Sequence, residues 1–253
     1  MEEIAIITGV SKGLGEATAK LFLQADKKVI GISRSVSRQL EKYAEENDYE
    51  YQHFTCDLAN MEQLLDTAGK IEKEIADSKP ETMYLINNAA VIEPIKPVGK
   101  IEGKDLNHHV NVNISAPMLL LNECLRIADR SESDFSCAMV SSGAGDRPIF
   151  GWGAYCSAKA AVDMFVRTAA LEQKELQTQH KIISFNPGIM DTGMQETIRT
   201  QTAADFADIK TFTAYKENNQ LKNPNEIAEI LFDLITDESN LESGKKYQAK
   251  DFF

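Results

Sequence analysis

The chain has 253 residues, 43% hydrophobic and 26% charged, with a formal net charge of −12; that is enough apolar material for one sizeable core, and length bounds the domain count only softly. An acidic balance of this size argues against a phosphate-backbone binder, since nucleic acid is held by clustered Lys and Arg, and no run approaches the roughly 20 apolar residues that span a bilayer. The chain passes from Met-Glu-Glu directly into an apolar run, without a basic leader, so a cytoplasmic protein that contacts neither nucleic acid nor membrane is expected.

Apolar strand-like runs alternate with helical patterns, the sequence form of βαβ units around a parallel sheet. Residues 4–8 predict a strand, and 12–24 a helix with Leu14, Ala17, Leu21 and Phe22 at helical spacing. A strand at 28–33, a short helix at 39–47, a strand at 49–56 and a helix at 61–76 follow. Strand 83–87 leads to a Pro-containing loop at 92–98. A long helical stretch then runs to residue 129 with Pro117 in its interior, where a kink or a locally freed carbonyl is expected. Strand 135–141, helix 154–177 and strand 181–185 continue the alternation. Residues 191–220 are polar with weak periodicity and predict a mobile lid over a site. A helix at 224–237 and a strand at 245–249 close the chain. No linker, repeat or low-complexity tract appears, so the expectation is one α/β domain over 1–253: a Rossmann-type, doubly wound parallel sheet of about seven strands flanked by helices.

The four cysteines, Cys56, Cys124, Cys137 and Cys156, show no C-x-x-C spacing and read as reduced thiols, with Cys156 set apart by its place beside Tyr155. His53, His108, His109 and His180 lack metal-ligand spacing, so no metal is expected and they read as surface or capping residues. A serine hydrolase would need a Gly-x-Ser-x-Gly elbow and a positioned histidine, and neither is evident.

The turn Thr8-Gly9-Val10-Ser11-Lys12-Gly13-Leu14-Gly15 follows a predicted strand and opens a predicted helix. In that context glycines let the backbone approach a pyrophosphate, and the free N–H groups of the helix start favour its charge. Downstream, Tyr155 and Lys159 stand at i and i+4, roughly 6 Å apart on a helix. A cation there lowers a phenol that ordinarily titrates near about 10, as general acid–base catalysis requires. The second strand ends Gly31-Ile32-Ser33-Arg34, with no carboxylate to meet a ribose hydroxyl. Arg34 and Lys12 can pair a 2′-phosphate, so NADPH/NADP+ is the expected cofactor.

In order along the chain stand Thr8 to Gly15, Asp57 after the third strand, Asn87-Asn88-Ala89-Ala90, Asn113, Ser142, Tyr155 with Lys159, and Pro187-Gly188 with Thr192. This series resembles the short-chain dehydrogenase/reductase family over nearly the whole chain, with Ala90 departing from the family's usual Asn-Asn-Ala-Gly. The resemblance implies that Tyr155 protonates a carbonyl oxygen, Ser142 holds that oxygen, Lys159 binds the ribose and lowers the tyrosine, and Asn113 anchors a proton-relay water. Ser141 competes for the serine role, but Ser142 stands at the family's interval from Tyr155. The implied cofactor site adds Ser11, Leu14, Ser33, Leu58, Asn88, Ala89 and Ile189. A homodimer or homotetramer through helices 107–129 and 154–177 is implied as well.

Within the family the likeness is greatest to sepiapterin reductases and their bacterial relatives, the benzil reductases. It is carried by residues 151–164 and 186–195 and, more weakly, by Ser243-Gly244. Sepiapterin reductases grip the pterin with a C-terminal Asp; counted from Ser243-Gly244, Gln248 stands at that place and Asp251 three residues on. The expectation is therefore an apolar pocket flanked by Phe150, Trp152, Met190, Met194 and Phe206. A bulky 1,2-diketone such as benzil, reduced at one carbonyl to (S)-benzoin, fits such a pocket. Sepiapterin is the alternative substrate, and an NADPH-sensing binding protein is the non-enzymatic alternative.

Overall fold

In the computed structural model, which describes residues 2–253, every strand pairs in parallel with its neighbours in one seven-stranded sheet of order β3-β2-β1-β4-β5-β6-β7. The strands are β1 (Glu3–Thr8), β2 (Lys28–Ser33), β3 (Tyr51–Thr55), β4 (Thr82–Asn87), β5 (Asp134–Val140), β6 (Lys181–Asn186) and β7 (Lys246–Gln248). The inner strands are apolar runs closed to solvent on both faces, whereas the edge strands β3 and β7 are partly open. That is the burial expected of a parallel sheet covered by helices on both sides.

Strand alternation sorts the core into two layers. Ala5 and Ile7 of β1 pack with helices α1 (Gly13–Gln24), α2 (Arg38–Asn47) and α9 (Pro224–Thr236). Ile4 and Ile6 pack on the other side with α3 (Met61–Ser78), α5 (Ala116–Ser131) and α6 (Gly153–Glu175). In α3 the buried stripe is Leu64, Ala68, Ile71 and Ile75, and the Asn60 side chain caps the helix by accepting from the N–H groups of Glu62 and Gln63.

The strand order runs outward from β1 to β3 in one direction and from β4 to β7 in the other. A crevice therefore opens where β1 and β4 end, the place where open α/β sheets bind ligands.

The long helical stretch runs without interruption through α4 (Gly103–Val110), a π-helical turn (Asn111–Ser115) and α5, and the departure from regular α-helix lies beside Pro117, where one was expected. Proline has no N–H for the carbonyl four residues back, which is that of Asn113. The backbone adapts by widening, with the Ala116 N–H reaching the Asn111 carbonyl. Residues 191–220 are more ordered than their weak periodicity implied, folding into α7 (Gly193–Arg199) and α8 (Ile209–Glu217). Their few apolar residues, Ile198, Phe206 and Phe212, join Ile92, Ile95, Ile149, Trp152 and Tyr155 in a third cluster above the sheet. A bridge between Met190 and Lys222 closes the base of this segment.

Among the described residues no helix is long and apolar enough to cross a membrane, and no group of three or more His, Cys, Asp or Glu side chains could hold a metal ion.

Candidate active site

The glycine turn is built by close approach. Gly9 has φ 76°, and a β-carbon there would lie 2.8 Å from Asn88 Nδ2; a β-carbon on Gly15 would lie 2.4 Å from the Gly9 carbonyl oxygen. The end of β4 is tied to this turn: Asn88 Nδ2 donates to the Thr8 carbonyl at 3.0 Å, and the backbone N–H groups of Asn88 and Ala89 each donate to Thr8 Oγ1 at 3.0 Å. Lys12, at the N-cap of α1, makes no side-chain bond to the first turn. That turn's N–H groups are left to meet an anion.

A cavity of about 860 Å³ extends from this turn across the sheet. Gly9, Ser11, Lys12, Gly13 and Leu14 line it at one end, with Ser33, Arg34, Asp57 and Leu58 from the ends of β2 and β3. Asn88, Ala89, Pro187, Gly188, Ile189 and Thr192 line it as well. Thr8 and Gly15 support the turn from behind it. Arg34 and Lys12 are both exposed, and neither has a partner among the described residues. Both cations expected to share a 2′-phosphate line the cavity. Lys12 Nζ lies against the start of α7, 3.2 Å from where a β-carbon on Gly193 would be.

Ser142 follows β5, and Tyr155 and Lys159 lie one helical turn apart on α6; all three line the cavity. The Ser142 hydroxyl is hydrogen-bonded to Tyr155 and accepts from the Ala144 N–H at 3.1 Å. Ser141 also lines the cavity, but its buried Oγ has no partner among the described residues. Lys159 is 4% exposed; its Nζ donates to the Val140 carbonyl at 2.8 Å and stands 5.6 Å from the centroid of the Tyr155 ring.

The electrostatics correct the expectation for the tyrosine. Burial pushes the Tyr155 phenol up to about 12, against the lowering effect of the Ser142 hydrogen bond. Burial also pulls the Lys159 amine down to about 8, opposed by Asp163 and reinforced by Lys246. The Lys159 ammonium, turned to the Val140 carbonyl, is not among the groups that lower the phenol.

Asn113 does not line the cavity; it is 2% exposed and stands behind the wall. Its Oδ1 accepts from the Val91 N–H at 3.0 Å, and its Nδ2 donates to the Val91 carbonyl at 2.8 Å and to His109 Nε2 at 2.9 Å. His109 is thus no surface residue: it is fully buried. A spacing of four puts His109 and Asn113 on one helical face, but that spacing does not say whether the face is enclosed. His180 is likewise enclosed and pairs with Asp129, while His53 meets Ser33 Oγ at 3.0 Å and His108 lines the cavity.

At the far end Trp152, Met190 and Met194 line the cavity as expected. Phe150 does not; it is 53% exposed. Phe206 is fully buried and stacks on Trp152 at 5.0 Å between ring centroids, behind the wall rather than in it. In their place α8 supplies Phe212 and Tyr215, three residues apart and therefore on one helix face. Ile149, Ile198, Gln195 and Arg147 complete this end. Neither Gln248 nor Asp251 lines the cavity; Gln248 pairs with Asn186 along β7, so it is not placed to select the substrate by direct contact.

A family model described as short chain dehydrogenase matches residues 3–203. The chain belongs to the short-chain dehydrogenase family. Among short-chain dehydrogenases it is 37% identical over 233 residues to benzil reductase ((S)-benzoin forming) of Bacillus cereus, covering 92% of this chain and 94% of that one. It is 34% identical over 250 residues to the benzil reductase of Bacillus subtilis, covering 99% of each. Sepiapterin reductase of Xenopus tropicalis is a more distant relative, 28% identical over 211 residues, 79% of this chain and 78% of that one. A solved short-chain dehydrogenase/reductase from Saccharomyces cerevisiae superposes with a TM-score of 0.83 at 26% identity, covering 99% of this chain and 97% of that one.

Proposed function

We propose that this short-chain dehydrogenase is an NADPH-dependent carbonyl reductase that converts one carbonyl of a bulky 1,2-diketone, such as benzil, to the hydroxy ketone (S)-benzoin. The observation that carries the reading is the convergence of Ser142, Tyr155 and Lys159 on one wall of a cavity whose other end is the glycine turn. Likeness to two benzil reductases supports the choice of substrate, and so does an end wall of Trp152, Phe212, Tyr215 and methionines.

The residues fit a dinucleotide. Gly9 and Gly15 let the turn pack tightly on itself and on Asn88, Gly13 keeps its cavity side free of a side chain, and Arg34, with no carboxylate beside it, favours a 2′-phosphate. When bound, NADPH supplies the hydride that reduces the carbonyl carbon. Tyr155, kept protonated by burial, gives its proton to the carbonyl oxygen while the Ser142 hydroxyl holds that oxygen. The Lys159 charge offsets the phenolate left behind, and Asn113 anchors the water that restores the proton. Residues 191–220 act as the lid. Exposed Met164 and Leu171 on α6 suit pairing of chains into a homodimer or homotetramer, and four free cysteines suit a reducing cytoplasm.

Sepiapterin is the weaker substrate reading because neither Gln248 nor Asp251 reaches the cavity wall. The test is NADPH oxidation by the purified protein with benzil and sepiapterin in parallel, Tyr155→Phe as control, and chiral chromatography of the product. Tyr155-dependent formation of (S)-benzoin, with sepiapterin slower, supports the proposal. Faster turnover of sepiapterin overturns it in favour of a pterin reductase, and NADPH binding without turnover of any carbonyl in favour of a sensor.

A further inference from the structure

His109 is enclosed by four groups. Its Nδ1 meets the Glu93 carbonyl oxygen at 2.6 Å, its Nε2 meets Asn113 Nδ2 at 2.9 Å, and its ring stands edge-on to the Tyr155 ring with centroids 6.2 Å apart. The carbonyl of Ala154, on α6, also faces it. The hydrogen-bond chemistry permits one arrangement. A main-chain carbonyl only accepts, so Nδ1 carries the proton; an amide NH2 only donates, so Nε2 is bare. The Asn113 amide is oriented by the same logic, because its Oδ1 is taken by the Val91 N–H.

We infer that His109 is a positioning residue: as the neutral Nδ1–H tautomer it fixes the Asn113 amide, and with it the π turn that Asn113 occupies and the Val91 segment of the cavity wall. Asn113 makes its side-chain bonds to Val91 and His109; removing the histidine acceptor frees the amide to rotate and break both Val91 contacts. Protonation has the same effect, since Nε2–H would then confront the NH2 of Asn113. Burial holds the imidazole below its ordinary range. The charged or titratable groups around it are His108 on its own helix and Tyr155 and Lys159 on α6, besides Glu93, which offers its backbone. His109 therefore stays neutral near neutrality, and the network opens only as the pH falls well below the usual histidine value.

This inference rests on Asn113 and Tyr155 serving carbonyl reduction, and its test separates the two ideas. His109→Gln keeps an acceptor where Nε2 lies, His109→Asn keeps only a group at the Nδ1 place, and His109→Leu keeps only bulk. On whichever carbonyl the protein reduces best, Gln is expected to stay within about threefold of the parent kcat. Asn and Leu should fall by about tenfold to a hundredfold, with KM for NADPH little changed. The parent should lose kcat on the acid side of pH 6.5, and the Gln variant should lack that limb. Independently of any turnover, nitrogen-15 spectra of the imidazole should show Nε2 unprotonated at pH 7. A Leu variant as active as the parent, a Gln variant as impaired as Leu, or a protonated Nε2 at pH 7 would each overturn the assignment. If the Leu variant does not fold, the Gln and Asn pair and the spectrum decide it.

Discussion

Lys246 Nζ donates to the backbone carbonyl of Ser142 at 3.0 Å, so a residue of β7 holds the loop that carries Ser142 to the cavity. The same ammonium meets Asp163 Oδ2 at 2.8 Å and Asp146 at 2.9 Å. Asp163 is four residues beyond Lys159 on α6, so the edge strand β7, the Ser142 loop and α6 are joined at one cation. Lys246→Met leaves the enclosed Asp163 without its partner. It is expected to cost about 2 kcal/mol, below the usual figure for a fully buried pair because Lys246 is partly open to solvent, and to lower kcat about tenfold. Adding Asp163→Asn removes the stranded charge and should return part of the stability in urea unfolding; a double variant no more stable than Lys246→Met would refute this account.

Lys159 links activity to alkaline pH. Its folded value of about 8 lies below the ordinary 10.5, so the folded state carries a cost whenever the amine is charged. That cost is complete below pH 8 and is relieved as the pH rises from 8 to 10.5. Lys159→Met should therefore be no less stable than the parent at pH 7, and more stable by roughly 3 kcal/mol at most, while being severely impaired in turnover. The advantage should vanish by about pH 10.5. In the parent, kcat/KM for NADPH should fall as the pH rises through about 8, since that ratio reports the free enzyme. Urea unfolding at several pH values and a pH-rate profile measure the two effects.

Arg34 controls the choice between NADPH and NADH if it meets a 2′-phosphate. Arg34→Asp should raise KM for NADPH at least about tenfold and improve NADH, because a carboxylate there repels phosphate and accepts from a ribose hydroxyl. Lys12→Ala should have the smaller effect, as the Lys12 ammonium is turned toward Gly193. Initial rates with both cofactors decide it; an unchanged preference in Arg34→Asp would remove Arg34 from the cofactor site.

Tyr215 ends an aromatic series that runs from Trp152 through Phe212, with adjacent ring centroids 5.3 and 5.5 Å apart. If this wall receives the second ring of a diaryl diketone, Tyr215→Ala should raise KM for benzil about tenfold. It should leave butane-2,3-dione, which has no rings, nearly unaffected. Equal losses on both diketones would mean that Tyr215 serves lid packing rather than substrate choice.

The parts legible in the chain are those whose signal is local. The glycine turn after a strand, the Tyr155–Lys159 interval, the apolar strand runs and the Ser142 loop each depend on neighbours a few residues away, and each stands near its predicted place. Departures arise where a partner is distant in sequence. The sequence places Phe150 and Phe206 beside the same pocket, yet one faces solvent and the other backs Trp152. Which way an aromatic residue turns is set by the packing of residues 191–220 against Ile92, Ile149 and Trp152.

By its periodicities and motifs alone, the chain determined a parallel α/β sheet, a dinucleotide turn at the end of β1, and a tyrosine and lysine on one helix face, because short-range geometry leaves those little freedom. Tertiary structure alone decided that His109 is enclosed against Asn113, that α8 supplies the aromatic wall, and that Tyr155 is raised rather than lowered. Burial and desolvation are sums over the whole surrounding volume, and no interval along the chain encodes them.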